Sequence, residues 1–365
     1  MAANKNHHYV PQFYFRKFSQ DGKSICVLRR DTGEVMERAS IKGQASKAWF
    51  YVNAGVEKEL GVIEGRSSAA IRELMSVGNP LHVQVDHLEE LLVHAAIQRY
   101  RTQAARDQAQ VLSDELAKRK HVIAVNANDK YTEAERAELL ADVSAIRGDP
   151  ARDQVVQMLV AMHNADRLRD LTPLILVNKT NRPFVFSDSP VVFYNARYFD
   201  VKLRSVLGVT DSGLMVIMPL SSETCWMLVD KGTYTIRRSR HNKVELRKPT
   251  DVIALNKLQI HSASGCVYFE DMNFANYVQG LWLEERKRLS KHTSTIVPSP
   301  PGNSPATPDE ILIHAIQHQL NYRASFSFLD HQVSGRPHDD PHLRAAYQGV
   351  SLQSTYNFLQ KLGLA

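Results

Sequence analysis

Two adjacent histidines, His7 and His8, are the first residues of the chain whose type suggests chemistry. They stand in NHHYVPQFYF, where Pro11 favours an extended backbone at Val10. Side chains alternate along an extended chain, so His7 and His8 point to opposite sides, with Gln12 on the side of His8. One imidazole can then enter a site while the other packs or orients a neighbour. The alternative is an aromatic arm pinned on the core, with the histidines as its polar edge.

Two glutamates further along the chain have a spacing that suits metal binding or proton transfer. Glu57 and Glu64 are seven residues apart in a predicted helix, so their carboxylates point within about 20° of each other. Two carboxylates on one face can hold a divalent cation such as Mg²⁺ or Mn²⁺, or do acid–base work. An exposed acidic stripe is the commoner alternative.

Arg101 lies on a predicted helix, on the face that points toward the interior of the protein. It follows Ile97 and Val93 at helical spacing, and both are apolar. A buried guanidinium needs an anionic partner, because breaking such a pair costs several kcal/mol. The partner is either internal, with Asp188, Glu57 and Glu64 as the candidates, or a phosphate or carboxylate of a ligand.

Three further polar residues are candidates on weaker grounds. Asp188 interrupts the apolar stretch FVFSDSPVVFYN, where an acidic residue either caps the local backbone or lies in a site at the end of a strand. Asn256 is a polar residue in an otherwise apolar helical face and can bond a core backbone group or a ligand. Arg99 and Asn256 are the candidate substrate-binding residues.

The elements that must position these residues predict an α+β fold. A central helical block, about 56–171, follows an N-terminal hairpin region and precedes an antiparallel β-rich part, about 173–270. One long helix is predicted from an N-cap at Asp86 to about residue 121, and another helix over DEILIHAIQHQLNYR, residues 309–323. The domain organisation predicted from these patterns is a single α+β domain over 1–293, a proline-rich linker over 294–308, and a C-terminal helical segment and tail over 309–365.

Composition excludes several classes of protein. The chain has 365 residues, of which 43% are hydrophobic and 23% are charged, which is typical of a globular protein. Its three cysteines are far apart, so a disulfide framework or a paired-cysteine metal site is not expected. No run approaches the roughly 18 apolar residues of a membrane helix, and the start does not resemble a signal peptide. We therefore expect a cytoplasmic protein without a membrane partner.

The net charge and the absence of standard motifs narrow the chemistry further. A formal charge of +6 permits a phosphate-rich partner without requiring one, and the basic residues fall in short clusters. The P-loop pattern, the dinucleotide-binding glycine pattern, HExxH and GxSxG are all missing from the sequence. The sequence therefore contains no motif that predicts a P-loop nucleotide hydrolase, a dinucleotide-dependent redox enzyme, a zinc protease or a serine hydrolase.

The motifs together resemble a family. NHHYVPQFYFRKFS, VEKELGVIEGRSSAAI, the Arg101-Thr102 pair and FVFSDSPVV are similar to an uncharacterised bacterial domain-of-unknown-function family. Its members open with His-His-Tyr-Val-Pro-Gln and carry a later Ser-Asp-x-Pro stretch. The resemblance covers roughly residues 4 to 290, and Phe15 and Lys17 depart from the family's usual residues. The positions of this chain that match the family's polar motif positions are His7, His8, Gln12, Glu64, Arg101, Asp188 and Asn256.

Histidine, carboxylate and arginine together are the mixture that phosphoryl chemistry uses. The first hypothesis is therefore a nuclease, with RNA the favoured substrate, acting as a bacterial defence or toxin effector. His7 or His8 would be the general acid or base, with Gln12 beside them. Arg101 would clamp the scissile phosphate, and Asp188 and Glu64 would orient a histidine or hold a divalent ion.

Two hypotheses from other classes stay open. The same residues can form a binding module that senses a nucleotide or a phage component without cleaving it. They can also form a buried polar network that fastens the N-terminal arm to the β-rich part. Nucleic acid is the partner that the first hypothesis implies.

Overall fold

The structure is a computed structural model that describes residues 6–51, 54–202, 204–237, 239–298, 313–331, 343–350 and 353–362. The helices in these ranges are α1 (Gln12–Phe15), α2 (Ala54–Val77), α3 (Val85–Tyr100), α4 (Gln103–Asn126), α5 (Glu133–Leu140), α6 (Pro150–His163), α7 (Pro249–Ser262), α8 (Ala275–Glu285) and α9 (Gln353–Lys361). The strands are β1 (Asn6–His8), β2 (Ser24–Arg29), β3 (Val35–Ser40), β4 (Ser46–Ala48), β5 (Thr172–Asn178), β6 (Phe186–Ser187), β7 (Val192–Tyr194), β8 (Met215–Pro219), β9 (Thr224–Val229), β10 (Tyr234–Ile236), β11 (Ser239–Arg240), β12 (Lys243–Leu246), β13 (Cys266–Phe269), β14 (Ser294–Pro298), β15 (Ile313–Gln317) and β16 (Leu329–His331).

A four-stranded antiparallel sheet joins the N-terminal hairpin to strands that come much later in the chain. Its order is β3-β2-β13-β6, so the N-terminal hairpin pairs with strands from the C-terminal part. The hairpin turn between β2 and β3 contains Gly33, whose backbone N–H donates to the carbonyl oxygen of Arg29 at 2.8 Å. Gly33 there has a φ of 74°, which favours glycine, and its α-carbon faces the ring of Trp282 too closely for a side chain.

A six-stranded sheet forms most of the C-terminal β region. Its order is β11-β12-β5-β9-β8-β7, and every pairing is antiparallel except the parallel pair β12–β5. Strands β8 and β9 are almost entirely buried, because both faces of the sheet are covered. The prediction of an α+β fold with a helical block and a largely antiparallel β region is confirmed.

The largest hydrophobic core lies where the N-terminal arm, the helical block and the six-stranded sheet meet. The arm contributes Tyr14, Phe15 and Phe18, which pack around Phe186 of β6. The hydroxyl group of Tyr14 donates to the carbonyl oxygen of Pro219 at the end of β8. The aromatic opening of the chain is therefore part of the core, and it places the residues just before it against the helices.

Three predictions about the elements are wrong in detail. The predicted long helix is two helices, α3 and α4, separated at Arg101 and Thr102, and it begins at Val85 with Gln84 in the N-cap position. The stretch predicted as a helix over 309–323 contains the strand β15, which pairs with β14. The predicted linker begins with β14, and the remainder of that linker lies outside the described residues.

Candidate functional site

The N-terminal arm is held to the rest of the chain by main-chain hydrogen bonds. Strand β1 pairs with β4, and the backbone N–H of Tyr9 donates to the carbonyl oxygen of Ala45 at 2.9 Å. Side chains alternate between the two faces of an extended strand, so the two histidines lie in different environments. The side chain of His7 is fully buried, whereas His8 is half-buried and reaches solvent.

His7 belongs to a buried aromatic contact. Its Nδ1 accepts a hydrogen bond from the backbone N–H of Tyr51 at 3.1 Å, and its ring stacks on the Tyr51 ring with centroids 5.7 Å apart. Nδ1 is therefore the unprotonated nitrogen of a neutral ring, and the proton lies on Nε2. Nε2 is buried and has no hydrogen-bond partner. These contacts give His7 the role of an anchor inside the arm.

His8 is the histidine that faces outward. Its Nε2 lies 3.1 Å from the carbonyl oxygen of Lys42 and 3.3 Å from the side-chain amide of Gln12. Gln12 in turn accepts from Arg16 at 3.2 Å through its amide oxygen. Because a carbonyl only accepts, Nε2 carries the proton and donates to Lys42, and this bond fixes the orientation of the ring. The amide nitrogen of Gln12 is itself a donor, so in this tautomer it is a neighbour of Nε2 and not its hydrogen-bond partner.

Arg101 lies behind His8 at the break between α3 and α4. One terminal nitrogen donates both to the carbonyl oxygen of His8 at 2.7 Å and to Glu64 at 2.8 Å. Nε donates to the hydroxyl oxygen of Tyr51 at 3.3 Å. Burial lowers the pKa of Arg101, but its hydrogen-bond partners Tyr51 and Glu64 outweigh burial and raise it, so the guanidinium stays charged. Only 2% of the residue is exposed.

These contacts decide between the alternatives for the partner of Arg101. The ion pair is internal and its partner is Glu64, one of the three carboxylates considered from the sequence. The side chain of Glu64 is 26% exposed, so the pair lies at the border between the interior and solvent. A phosphate that reached Arg101 would therefore compete with Glu64 and with two other protein acceptors.

Glu57 contacts the same arm from one end of α2. Its Oε1 accepts from the backbone N–H of His8 at 3.4 Å, and its Oε2 is buried without a hydrogen-bond partner. Burial raises the pKa of Glu57, although the charge of Arg101 opposes the rise. Glu57 and Glu64 thus face the arm together, as their spacing predicts. Within the ranges that the structure describes, no group of three or more His, Cys, Asp or Glu side chains is arranged to hold a metal ion.

Asp188 does not join this cluster through any hydrogen bond in the described structure. Its carboxylate accepts from three consecutive backbone N–H groups, those of Ser264, Gly265 and Cys266, at 2.8 to 3.3 Å. Burial raises the pKa of Asp188 to about 6, against the opposing effect of these three donors. The contacts favour the alternative that Asp188 caps the backbone, here the loop before β13.

Asn256 and Arg99 are also placed away from His8. Asn256 is fully buried, where it accepts from the N–H of Val185 at 3.0 Å and donates to the carbonyl oxygen of Pro183 at 2.8 Å. Arg99 donates to the carbonyl oxygen of Leu207 and contacts a cavity described below. Of the candidates predicted from the sequence, the structure brings together His7, His8, Gln12, Glu57, Glu64 and Arg101.

A family model described as "Protein of unknown function (DUF4238)" matches residues 6–273. The chain belongs to this family. The match confirms the resemblance stated from the sequence and ends close to the limits expected there. No curated protein and no solved structure shows significant similarity to the chain. In the part of the chain that the structure describes, no helix has the length and apolar character needed to cross a bilayer.

The DUF4238 region also contains cluster residues that sequence reasoning missed. Tyr51 touches His7, His8 and Arg101, and it follows the apolar stretch that contains β4. On α3, Gln98 donates to the carbonyl oxygen of Tyr9 at 2.8 Å, and His94 contacts the ring of Phe13. His94, Gln98 and Arg101 share one helical face, so their spacing was a signal that the sequence offered.

Buried polar atoms without partners concentrate along this seam between α2, α3 and the arm. Burial lowers the pKa of His94 to about 3, so its ring is neutral. Six side-chain atoms here are buried and unbonded, although buried polar groups are usually paired. They are His7 Nε2, Glu57 Oε2, Ser67 Oγ, Glu90 Oε2, His94 Nε2 and Gln98 Oε1.

Proposed function

We propose that the chain is a nuclease that cleaves RNA, with His8 and Glu64 as its proton-transfer pair. The observation that carries the proposal is that one nitrogen of Arg101 bonds both the main chain of His8 and the carboxylate of Glu64. This shared donor links the main chain of the half-exposed His8 to the partly exposed carboxylate of Glu64 through a buried positive charge. An imidazole and a carboxylate at that border are suited to acid–base catalysis.

RNA is the substrate class because its cleavage needs only proton transfers. The carboxylate of Glu64 takes the proton of the ribose 2′-hydroxyl, and the 2′-oxygen attacks the phosphorus. The imidazolium of His8 then gives its proton to the departing 5′-oxygen, which leaves a cyclic phosphate on one fragment. Arg101, which is bonded to protein acceptors, positions both residues and supplies positive potential behind the phosphate.

A basic cleft at the other end of α2 supports a phosphate-rich partner. A cavity of about 580 Å³ there is lined by Gly78, Asn79, Arg240, His241, Lys243, Glu245 and Arg247. The carboxylate of Glu245 pairs with Arg247, so the lining still carries an excess of positive charge. It lies about 20 Å from Glu64 along α2, at 1.5 Å per residue. Phosphates follow every few ångströms along a nucleic acid strand, so a short strand is long enough to span this distance.

The test uses labelled RNA and DNA of one sequence, each with and without Mg²⁺ or Mn²⁺. We expect cleavage of RNA that persists in a chelator, and a loss of activity of at least about 100-fold in both His8→Gln and Glu64→Gln. The melting temperature should be unchanged in His8→Gln and lowered by only a few degrees in Glu64→Gln, which loses part of the ion pair with Arg101. His121→Gln is the matched control, because the ring of His121 is bonded to the carbonyl oxygen of Leu139 at 3.0 Å, away from the arm. Intact RNA and DNA under all conditions would exclude the proposal.

A binding module without catalysis is the second candidate, and the burial of Arg101 favours it. A guanidinium that already has three protein acceptors contributes to a preformed surface more readily than to a phosphate clamp. In that case RNA would raise the melting temperature without being cut. The combined variant Arg240→Gln, Lys243→Gln would remove this stabilisation, because its side chains line the basic cleft.

A further inference from the structure

A second cavity lies on the opposite side of α3 and has a different character. Its volume is about 470 Å³, which is within the range of small-molecule sites. Helices α3, α4 and α6, the loop 205–209, the paired strands β14 and β15, and α9 surround it. Its walls are mainly aliphatic, with Leu112, Val156, Val160, Val209 and Leu359 as examples. We propose that this cavity binds an aliphatic carboxylate, with Arg99 holding the carboxylate group.

Arg99 is the one charged residue among the described residues that line the cavity. Its terminal nitrogens donate to the carbonyl oxygen of Leu207 at 2.6 Å and to the side-chain oxygen of Gln317 at 2.8 Å. The guanidinium also lies over the ring of Phe193, 4.2 Å from its centroid. Both hydrogen-bond acceptors are neutral.

No carboxylate of the described residues lies within ion-pair distance of Arg99. Asp211 is near enough for Arg99 to lower its pKa, although burial raises that pKa overall. The carboxylate of Asp211, however, accepts from the backbone N–H of Gly208 at 2.6 Å. A half-buried guanidinium with only neutral acceptors is suited to an external anion, and its planar fork matches a carboxylate.

The lining decides what is attached to that carboxylate. A nucleotide would need further cations or several polar groups for its phosphates and base, and Arg99 is alone here. The remaining polar lining is neutral and sparse, with Gln157, Asn164 and Ser294 among it. A single negative charge on an aliphatic body is therefore the complementary ligand.

This site is separate from the proposed catalytic pair. Arg99 and Arg101 are two residues apart near the end of α3, and two residues turn a helix by about 200°. Arg101 accordingly faces the arm, while Arg99 faces the cavity. Ligand binding at Arg99 is thus measurable whether or not the chain cleaves RNA.

The experiment measures by calorimetry the binding of decanoate and of its uncharged counterpart decanol. Decanoate is kept below the concentration at which it forms micelles, and decanol below its solubility limit. We expect one saturable site for decanoate, with decanol at least tenfold weaker. We also expect decanoate to raise the melting temperature in a concentration-dependent way. Arg99→Met should bind decanoate at least tenfold more weakly, while Arg152→Met, at an exposed arginine of α6, should bind it like the native chain.

Equal affinity for decanoate and decanol, or non-saturable uptake of decanoate, would overturn the proposal. So would unchanged decanoate affinity in Arg99→Met. If Arg99→Met does not fold, the affinities of the native chain for decanoate and decanol still test whether the site recognises the carboxylate. Leu112→Phe should also weaken the binding of decanoate, because the larger side chain fills part of the cavity while Arg99 is kept.

Discussion

Arg101 fastens the N-terminal arm by donating to the main-chain carbonyl oxygen of His8 at 2.7 Å. The same nitrogen donates to Glu64 on α2, so the arm, α2 and the end of α3 meet at one guanidinium. Because the bond goes to the backbone of His8 rather than to its ring, the imidazole remains available to solvent. The buried charge therefore positions the outward-facing histidine without occupying it.

This relationship predicts a large effect of removing the charge. Arg101→Met should lower the free energy of unfolding by about 3 kcal/mol, the low end for breaking a buried ion pair, because Glu64 stays partly hydrated. Urea denaturation measures the change. Glu64→Gln keeps an acceptor for Arg101 and should cost only about 1 kcal/mol. A loss below about 0.5 kcal/mol in Arg101→Met would mean that the network does not hold the arm.

The break between the two long helices predicts an effect of Thr102. Its side-chain oxygen accepts from the N–H of Ala105 at 3.2 Å and caps α4. Thr102→Ala should therefore cost about 1 kcal/mol of unfolding free energy, while Thr102→Ser should cost little, because serine caps equally well. Thermal denaturation of both variants provides the measurement. Equal stability of the two variants would contradict a capping role.

The same break shows what the sequence could not supply. Apolar periodicity continues across Arg101 and Thr102 without glycine or proline, so the pattern favours one helix. What ends α3 is tertiary: the side chain of Arg101 is drawn to His8 and Glu64, and Thr102 caps the next helix. At β15 the short apolar run ILIHAIQ is ambiguous between helix and strand, and pairing with β14 decides it.

The candidate site, like the helices and strands, could be predicted from the sequence only in part. The spacing of Glu57 and Glu64 and the apolar face carrying Arg101 predict side chains that turn inward together, and the structure brings them to the arm. Asp188 differs because its use depends on Ser264 to Cys266, nearly eighty residues away. The sequence pattern of an acidic residue between apolar runs is the same whether the carboxylate binds a ligand or a distant loop.

Asn256 provides a test of that distinction. It bonds Val185 and Pro183 of the main chain and also the hydroxyl group of Tyr277. Asn256→Ala leaves a buried N–H and a buried carbonyl oxygen unpaired and should cost about 2–4 kcal/mol, whereas Tyr277→Phe should cost about 1 kcal/mol. Urea denaturation measures both variants. An Asn256→Ala variant of native stability with lost RNA affinity would instead assign the residue to substrate binding.

His94 predicts a specific dependence of stability on pH. Burial lowers the pKa of its ring from an ordinary 6.5 to about 3 in the folded chain. Between these values the unfolded chain takes up a proton that the folded chain does not, so acid favours unfolding. The contribution of neutral His94 is therefore complete above pH 6.5 and falls as pH decreases below it, by at most about 1.4 kcal/mol per unit.

His94→Gln removes this titration while keeping a polar side chain at the same position. The difference in unfolding free energy between the native chain and the variant should accordingly shift in favour of the variant by about 2–3 kcal/mol from pH 7 to pH 4.5. Urea denaturation across that range measures it. Asp188 acts with the opposite sign, since burial raises its pKa to about 6, but it is common to both proteins and cancels from the difference. A pH-independent difference would show that folding leaves the pKa of His94 unchanged.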